Sequence, residues 1–323
     1  MNQQFALTRT ESEGALLSVL KALEIQKTLG TEPVLTALRH FPAQAAQVVD
    51  FPEGLHPKLR ETLVGRGYEG LYTHQRETYE QVQAGKDVVV VTPTASGKTL
   101  CYNLPVLDRI LKDPDARALY LFPTKALAQD QLAELHAVVE AIGADIGTFT
   151  YDGDTPQDAR KSIRARAHVV VTNPDMLHKG ILPHHTKWVK LLENLRYVVV
   201  DELHSLRGVY GSHVTNIFRR LRRLCEFYGS RPQFICSSAT IGNPKELAEA
   251  ITGREMTLVD RSGAKSTAQG PIDQCLVTDS LCFGLRTKGN QKVIIQHHGD
   301  AGLALGFGLK LRKVWHVLHA LGL

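Results

Sequence analysis

The sequence predicts an α/β domain: a doubly wound, mostly parallel sheet with helices on both faces. Two observations carry this. Seven short, nearly continuous apolar runs lie between Asp87 and Asp260, and most are separated by segments with apolar residues at helical spacing. Strands buried on both faces read as unbroken apolar runs, and the helices between them are the crossovers that parallel pairing requires. Ligands of such a sheet bind at the carboxyl ends of its strands.

In chain order the runs are DVVVVT (87–92), ALYLFP (118–123), IGTFTYDG (146–153), AHVVVTN (167–173), LRYVVVDE (195–202), PQFICSSAT (232–240) and EMTLVD (255–260). The segment 124–142, TKALAQDQLAELHAVVEAI, is the clearest of the intervening helices. Residues 1–70 read as a helical extension broken at Gly30, Pro33, Pro42, Pro52 and Pro57, and the sheet domain is expected over 71–261. After Asp260 the character changes. Residues 262–323 contain nine glycines and no glutamate, and strand–helix alternation stops, so this segment is expected to be an atypical tail and not a complete domain.

The 323 residues carry a net charge of +5. Seven Lys or Arg and three Asp fall in 262–323, which leaves 31 basic and 30 acidic residues before it. A near-neutral domain binds a polyanion only through placed groups, not through bulk charge. No run of about 18 apolar residues marks a membrane span. The first residues, MNQQFALTRTESEGALL, put acids where a secretory signal needs its apolar stretch, so a cytoplasmic location is expected. The five cysteines form no C-x-x-C pair, which argues against a disulfide framework or zinc knuckle; Cys101 and Cys236, in apolar runs, are expected to be buried thiols.

Chemistry concentrates at two strand ends. The first is PTASGKT (93–99), directly after an apolar strand and before a helical run. In such a loop, backbone N–H groups surround phosphates, Lys98 adds a mobile cation, and the Thr99 hydroxyl can coordinate magnesium. Thr94, Ala95, Ser96 and Gly97 complete the loop, and the helix N-terminus adds a partial positive charge. The usual leading Gly is replaced by Thr92.

The second is Asp201-Glu202-Leu203-His204, closing the run LRYVVV. Adjacent carboxylates ending a buried strand repel one another and call for a cation. Alone, the pair is equally a solvated cap of the following helix. With the nucleotide loop upstream, the cation is magnesium, held by Asp201 partly through water, and Glu202 is placed to deprotonate an attacking water.

Together these two sites resemble the DEAD/DEAH-box-like helicases of superfamily 2, whose first motif commonly lacks the leading Gly. Further segments match in chain order: LYTHQRETYE with Gln75 resembles the Q motif, PTKALAQDQ (123–131) motif Ia, TNPDML (172–177) motif Ib and SSAT (237–240) motif III. The resemblance implies a RecA-like domain using ATP and Mg2+ and contacting nucleic acid. By it, Gln75 reads the adenine edge, and Thr124, Lys125, Thr172 and Asn173 contact the nucleic-acid backbone. His204, Ser238 and Thr240 would couple hydrolysis to strand movement, and Asp152, Gly153 and Asp154 would line the strand path.

The wording LHPKLRETL, TASGKTLCYNLPVL and YDGDTP is similar to the YprA/MrfA and Hrq-type helicases, which are DNA-directed, translocate 3′ to 5′ and are linked to repair of crosslinked DNA. Single-stranded or partly duplex DNA is therefore the implied partner. The resemblance covers about 50–261. In this family a second RecA-like domain supplies an arginine finger, and no matching pattern follows Asp260. The expectation is a truncated helicase core, with a partner chain as one source of the second domain. The alternative is a fragment that binds ATP and nucleic acid without unwinding.

Overall fold

The computed structural model describes residues 45–93 and 95–265, together with the backbone of 281–286 and 292–297. Residues 46–264 form one compact unit. Its sheet contains β3 (Val88–Val91), β4 (Arg117–Leu121), β5 (Thr148–Thr150), β6 (Val169–Thr172), β7 (Leu195–Val200), β8 (Gln233–Ser238) and β9 (Thr257–Val259). The seven strands follow the order β5-β6-β4-β7-β8-β3-β9, and every neighbouring pair is parallel. Each apolar run read from the sequence supplies one of them.

The pleat of β3 shows how two cores arise from one apolar run. Val88 and Val90 face one side, with Cys101, Leu104 and Leu107 of α3 (Lys98–Lys112). Val89 and Val91 face the other, with Val214, Phe218 and Leu221 of α7 (Gly208–Phe227). All four valines are buried, and burying such a side chain is worth roughly 1.5–3 kcal/mol. The helix after β3 thus covers one face and the helix after β7 the other. The chain reaches β4 from β3 by passing β8 and β7, so connections diverge to opposite faces and leave a crevice at the strand ends.

Residues 46–70, placed by the sequence in a helical extension, belong to the same unit as the sheet. β1 (Val48–Val49) pairs antiparallel with β2 (Leu71–Tyr72), and Leu59 and Leu63 of α1 (Pro57–Gly65) are buried in the core that holds Val88. Gly70 is required there, because a Cβ would lie 2.4 Å from the Val49 carbonyl oxygen. The chain after β9 returns to this region: the Gln47 N–H donates to the Gly263 carbonyl at 2.8 Å, and the Gly263 N–H donates to His74 Nδ1 at 3.2 Å.

Two more helices matter for the site. α2 (Thr73–Gln83) precedes β3, and α4 (Lys125–Ile142) follows β4, close to the expected 124–142. α5 (Gln157–Arg166), α6 (Val189–Glu193) and α8 (Pro244–Thr252) complete the covering layers. Cys101 and Cys236 are buried thiols as expected, with burial pushing the Cys101 thiol up to about 12.

A second unit takes residues 1–45 and 265–323. Within it β10 (Leu281–Arg286) and β11 (Lys292–His297) pair antiparallel, Leu281 opposite His297 and Arg286 opposite Lys292. The expected helices of 1–44 and most of the tail lie outside the described residues. Among the described residues, no helix is long and apolar enough to cross a membrane.

Candidate nucleotide and nucleic-acid site

Three neighbouring strands, β7, β8 and β3, end side by side and deliver the groups the sequence singled out. After β3 the chain turns through Ala95 (φ 61°) and Gly97 (φ 79°), both left-handed, before α3 begins at Lys98. Left-handed residues in a tight loop are how backbone N–H groups come to line an anion-binding concavity. Gly97 is required twice: its φ is costly for any L side chain, and a Cβ would lie 2.6 Å from Gln75 Nε2. Gly97→Ala is expected to cost about 1–3 kcal/mol and to weaken nucleotide binding, read by denaturant unfolding beside a nucleotide titration. Thr94 lies outside the described residues. The Ser96 hydroxyl meets Thr92 Oγ1 at 2.6 Å, so the residue standing for the usual glycine braces the loop from within.

Lys98 Nζ donates to the Thr92 carbonyl at 2.8 Å and to that of Pro93 at 3.4 Å, which holds the ammonium over the start of the loop. Burial lowers its pKa from the usual lysine value, and the fields of Glu202 and Asp201 oppose that shift. Thr99 Oγ1 donates to Gln131 Oε1 at 2.9 Å, leaving its oxygen lone pairs available to a cation.

Asp201 is fixed from three sides. Ser237 Oγ and the Glu202 N–H (2.9 Å) donate to its Oδ1, and Tyr102 OH lies 3.3 Å from its Oδ2. The Tyr102 hydroxyl is also 3.0 Å from Gln131 Oε1, and its single proton serves one acceptor at a time. Oδ2 therefore keeps acceptor capacity. A hydroxyl and a carboxylate with spare lone pairs suit magnesium, which takes one or two protein oxygens and retains waters. The residues fit that ion.

Glu202 sits at φ 52°, a left-handed position uncommon for a residue with a Cβ. Its pKa is raised, first by burial and then by Asp201, while His204 and Lys98 pull it down. A carboxylate held above its ordinary range is a better proton acceptor. Glu202 Oε2 lies 3.1 Å from His204 Nδ1, and the Ala239 N–H points at the same nitrogen from 3.3 Å. A neutral imidazole nitrogen either donates or accepts, so the ring bonds to one of these partners at a time. His204 thereby touches both the carboxylate pair and the end of β8.

The remaining expected residues are placed as follows. Gln75 accepts from the Tyr72 N–H at 2.9 Å and donates to the Gly97 carbonyl at 3.0 Å, so its amide ties α2 to the phosphate loop. Ser238 Oγ donates to the Ala239 carbonyl at 2.9 Å, and Thr240 is exposed just beyond. Thr124 and Asn173 are helix N-caps at the ends of β4 and β6, accepting from the N–H groups of Leu127 and Met176. Lys125 is exposed and pairs with Asp154 at 2.5 Å, which joins the turn after β4 to the YDGD segment. Arg160 clamps that segment, its Nε donating to the Thr155 carbonyl at 2.9 Å.

Thr172 departs from the role the sequence suggested for its side chain. It is buried, and its hydroxyl donates to the Tyr151 carbonyl at 2.6 Å. Thr172→Val is expected to cost about 1–2 kcal/mol in denaturant unfolding while leaving nucleic-acid affinity within a factor of two in an anisotropy titration.

Sequence reasoning missed Ser237, Tyr102 and Gln131 as members of the site. Ser237 lay inside a quoted motif, but its partner emerges only from strand pairing: Val200 lies opposite Cys236, so the next residues, Asp201 and Ser237, meet.

Residues 72–247, more than half of the chain, match the DEAD/DEAH box helicase family. The uncharacterized ATP-dependent helicase YprA of Bacillus subtilis is 59% identical over 221 residues, which is 68% of this chain and 30% of that protein. The ATP-dependent helicase HRQ1 of Saccharomyces cerevisiae is 39% identical over 253 residues, 76% of this chain and 23% of that protein. Among solved structures, the DUF1998 helicase MrfA bound to DNA and AMPPNP superimposes with a TM-score of 0.70 at 55% identity, covering 74% of this chain and 34% of that one. The chain thus spans about a quarter to a third of the length of these relatives. The order of the strand-end groups and the match across 72–247 agree, and the chain belongs to the DEAD/DEAH box helicase family.

Proposed function

We propose that residues 46–264 are the ATP-binding RecA-like domain of a DNA-directed helicase or translocase. The observation that carries this reading is the placement of Lys98 after β3 and Asp201 after β7, on either side of β8, with Asp201 locked by Ser237 and the Glu202 N–H. The loop 93–99 takes the phosphates of ATP. Thr99 and Asp201 would hold magnesium, which would supply positive charge beside the phosphates. Glu202 accepts the proton of the attacking water, and its raised pKa suits that task. Gln75 would reach the adenine edge by exchanging one of its present partners.

The turns after β4 and β6 form the nucleic-acid edge. Lys125 is its exposed cation, and the start of α4, capped by Thr124, offers N–H groups to backbone phosphates beside Asn173 at the end of β6. DNA is favoured as the polymer because MrfA was solved with DNA and the related Hel308 of Pyrococcus horikoshii is named a DNA helicase. His204, with Ser238 and Thr240, links hydrolysis to that edge through the end of β8. An arginine finger from a second RecA-like domain, in the same protein or a partner, would complete the transition state, worth about 10³–10⁵ in rate.

Phosphate release from Mg·ATP, with and without single-stranded DNA and beside Lys98→Ala, tests the reading. Release stimulated by DNA and lost in Lys98→Ala is the expected result. Nucleotide binding without DNA-stimulated release would favour the non-catalytic alternative.

A further inference from the structure

A cavity lies away from the nucleotide loop. It has a volume of about 740 Å³ and lies between α7 and the turn that follows β6. Four arginines, Arg219, Arg220, Arg222 and Arg223, line it, together with two histidines. Against these stands a single carboxylate, Asp175.

These guanidinium groups are poorly matched within the protein. None of the described ion pairs uses any of the four. Arg222 donates to the Gly253 carbonyl at 2.9 Å while its Nε is buried without a partner, and Arg219 reaches only Asn216 Oδ1, at 3.4 Å. Four like charges within five residues of one helix repel, and guanidinium forks suit phosphate oxygens.

The shape selects among anions. The lining residues of α7 run from Tyr210 to Arg223, which at 1.5 Å per residue is a stripe of about 20 Å. A single phosphate would occupy one end of it, whereas a polymer with regularly spaced charges can follow its length. The other wall, Asp175 and His178, lies in the short helical segments Pro174–Met176 and Leu177–Ile181 that follow Asn173, so the groove adjoins the edge already assigned to nucleic acid.

We propose that this groove is a second nucleic-acid contact, in which Arg219, Arg220 and Arg223 hold backbone phosphates of a segment flanking the one at the strand ends. The proposal rests on the nucleic-acid reading above. Arg222 is left out of the contact set because it anchors the Gly253 turn.

The test is anisotropy of a labelled single-stranded oligonucleotide with the full chain, titrated over a range of NaCl concentrations. Each phosphate contact on a single strand contributes about 0.7 to the slope of log affinity against log salt. The triple variant Arg219→Ala, Arg220→Ala, Arg223→Ala should lose about 2 from that slope, and the matching triple Lys variant should keep it. Lys125→Ala should lower the slope separately. A Lys125→Ala effect with the Ala triple unchanged would overturn the groove while sparing the nucleic-acid reading. Loss in both triple variants would overturn the charge argument, and a chain that binds no oligonucleotide would sink both proposals together.

Discussion

Glu202→Gln should bind Mg·ATP with little change and release phosphate about 10²–10⁴-fold more slowly. The substitution keeps the side-chain shape and one oxygen near His204 but removes the proton acceptor. The unaltered protein should also show a pH limb from this group. Burial and Asp201 raise the Glu202 pKa, so the deprotonated base is lost as pH falls through a value above the ordinary glutamate range. Release should therefore decline on the acid side at a higher pH than an exposed glutamate would impose. Single-turnover phosphate release across pH, with a fluorescent nucleotide to read binding, separates the two effects. Equal losses of binding and release would mean that Glu202 holds the nucleotide and is not the base.

Lys98→Ala should act the other way, on binding first. A hydrogen bond to a charged group is worth about 1.5–3 kcal/mol, so nucleotide affinity should fall roughly 10–100-fold. Stability should change little or rise. Lys98 now bonds only to the carbonyls of Thr92 and Pro93, and burial disfavours its charge. An isothermal titration with Mg·ATP beside a thermal melt reads both quantities. Unchanged affinity would mean that the phosphates lie elsewhere.

The strands were legible because each is buried on both faces and so writes a continuous apolar run, as Val88–Val91 does. The ends of those runs were legible for the opposite reason. Lys98, Asp201 and Glu202 interrupt apolar sequence with charge where burial would be costly without a ligand. What could not be read is what pairing decides. Ser237 holds Asp201 from 36 residues away only because β7 and β8 are neighbours in a given register. Tyr102 reaches Asp201 across 99 residues, from a helix position that reads in sequence as ordinary core.

Thr172 shows a different limit. Its place in a motif-like segment suggested a ligand contact, yet alternation along β6 turns its hydroxyl toward Tyr151. Residues 46–70, read as part of a helical extension, hold the helix α1 and the short strand β1, packed with the sheet. Leu59 and Leu63 are core residues of the sheet domain, and β1 has only two residues. The cavity beside α7 was not anticipated at all. Its arginines meet Asp175 and His178, more than 40 residues away in sequence, only in the folded chain.

The central claim is that β3, β7 and β8 together present one phosphate site. Backbone hydrogen exchange of the chain, with and without Mg·AMPPNP, locates the nucleotide directly. The account predicts slowed exchange at residues 95–99 and at 201–202, and in Lys98→Ala the same slowing only at roughly 10–100-fold higher nucleotide concentration. Binding without protection at both of those strand ends would contradict it.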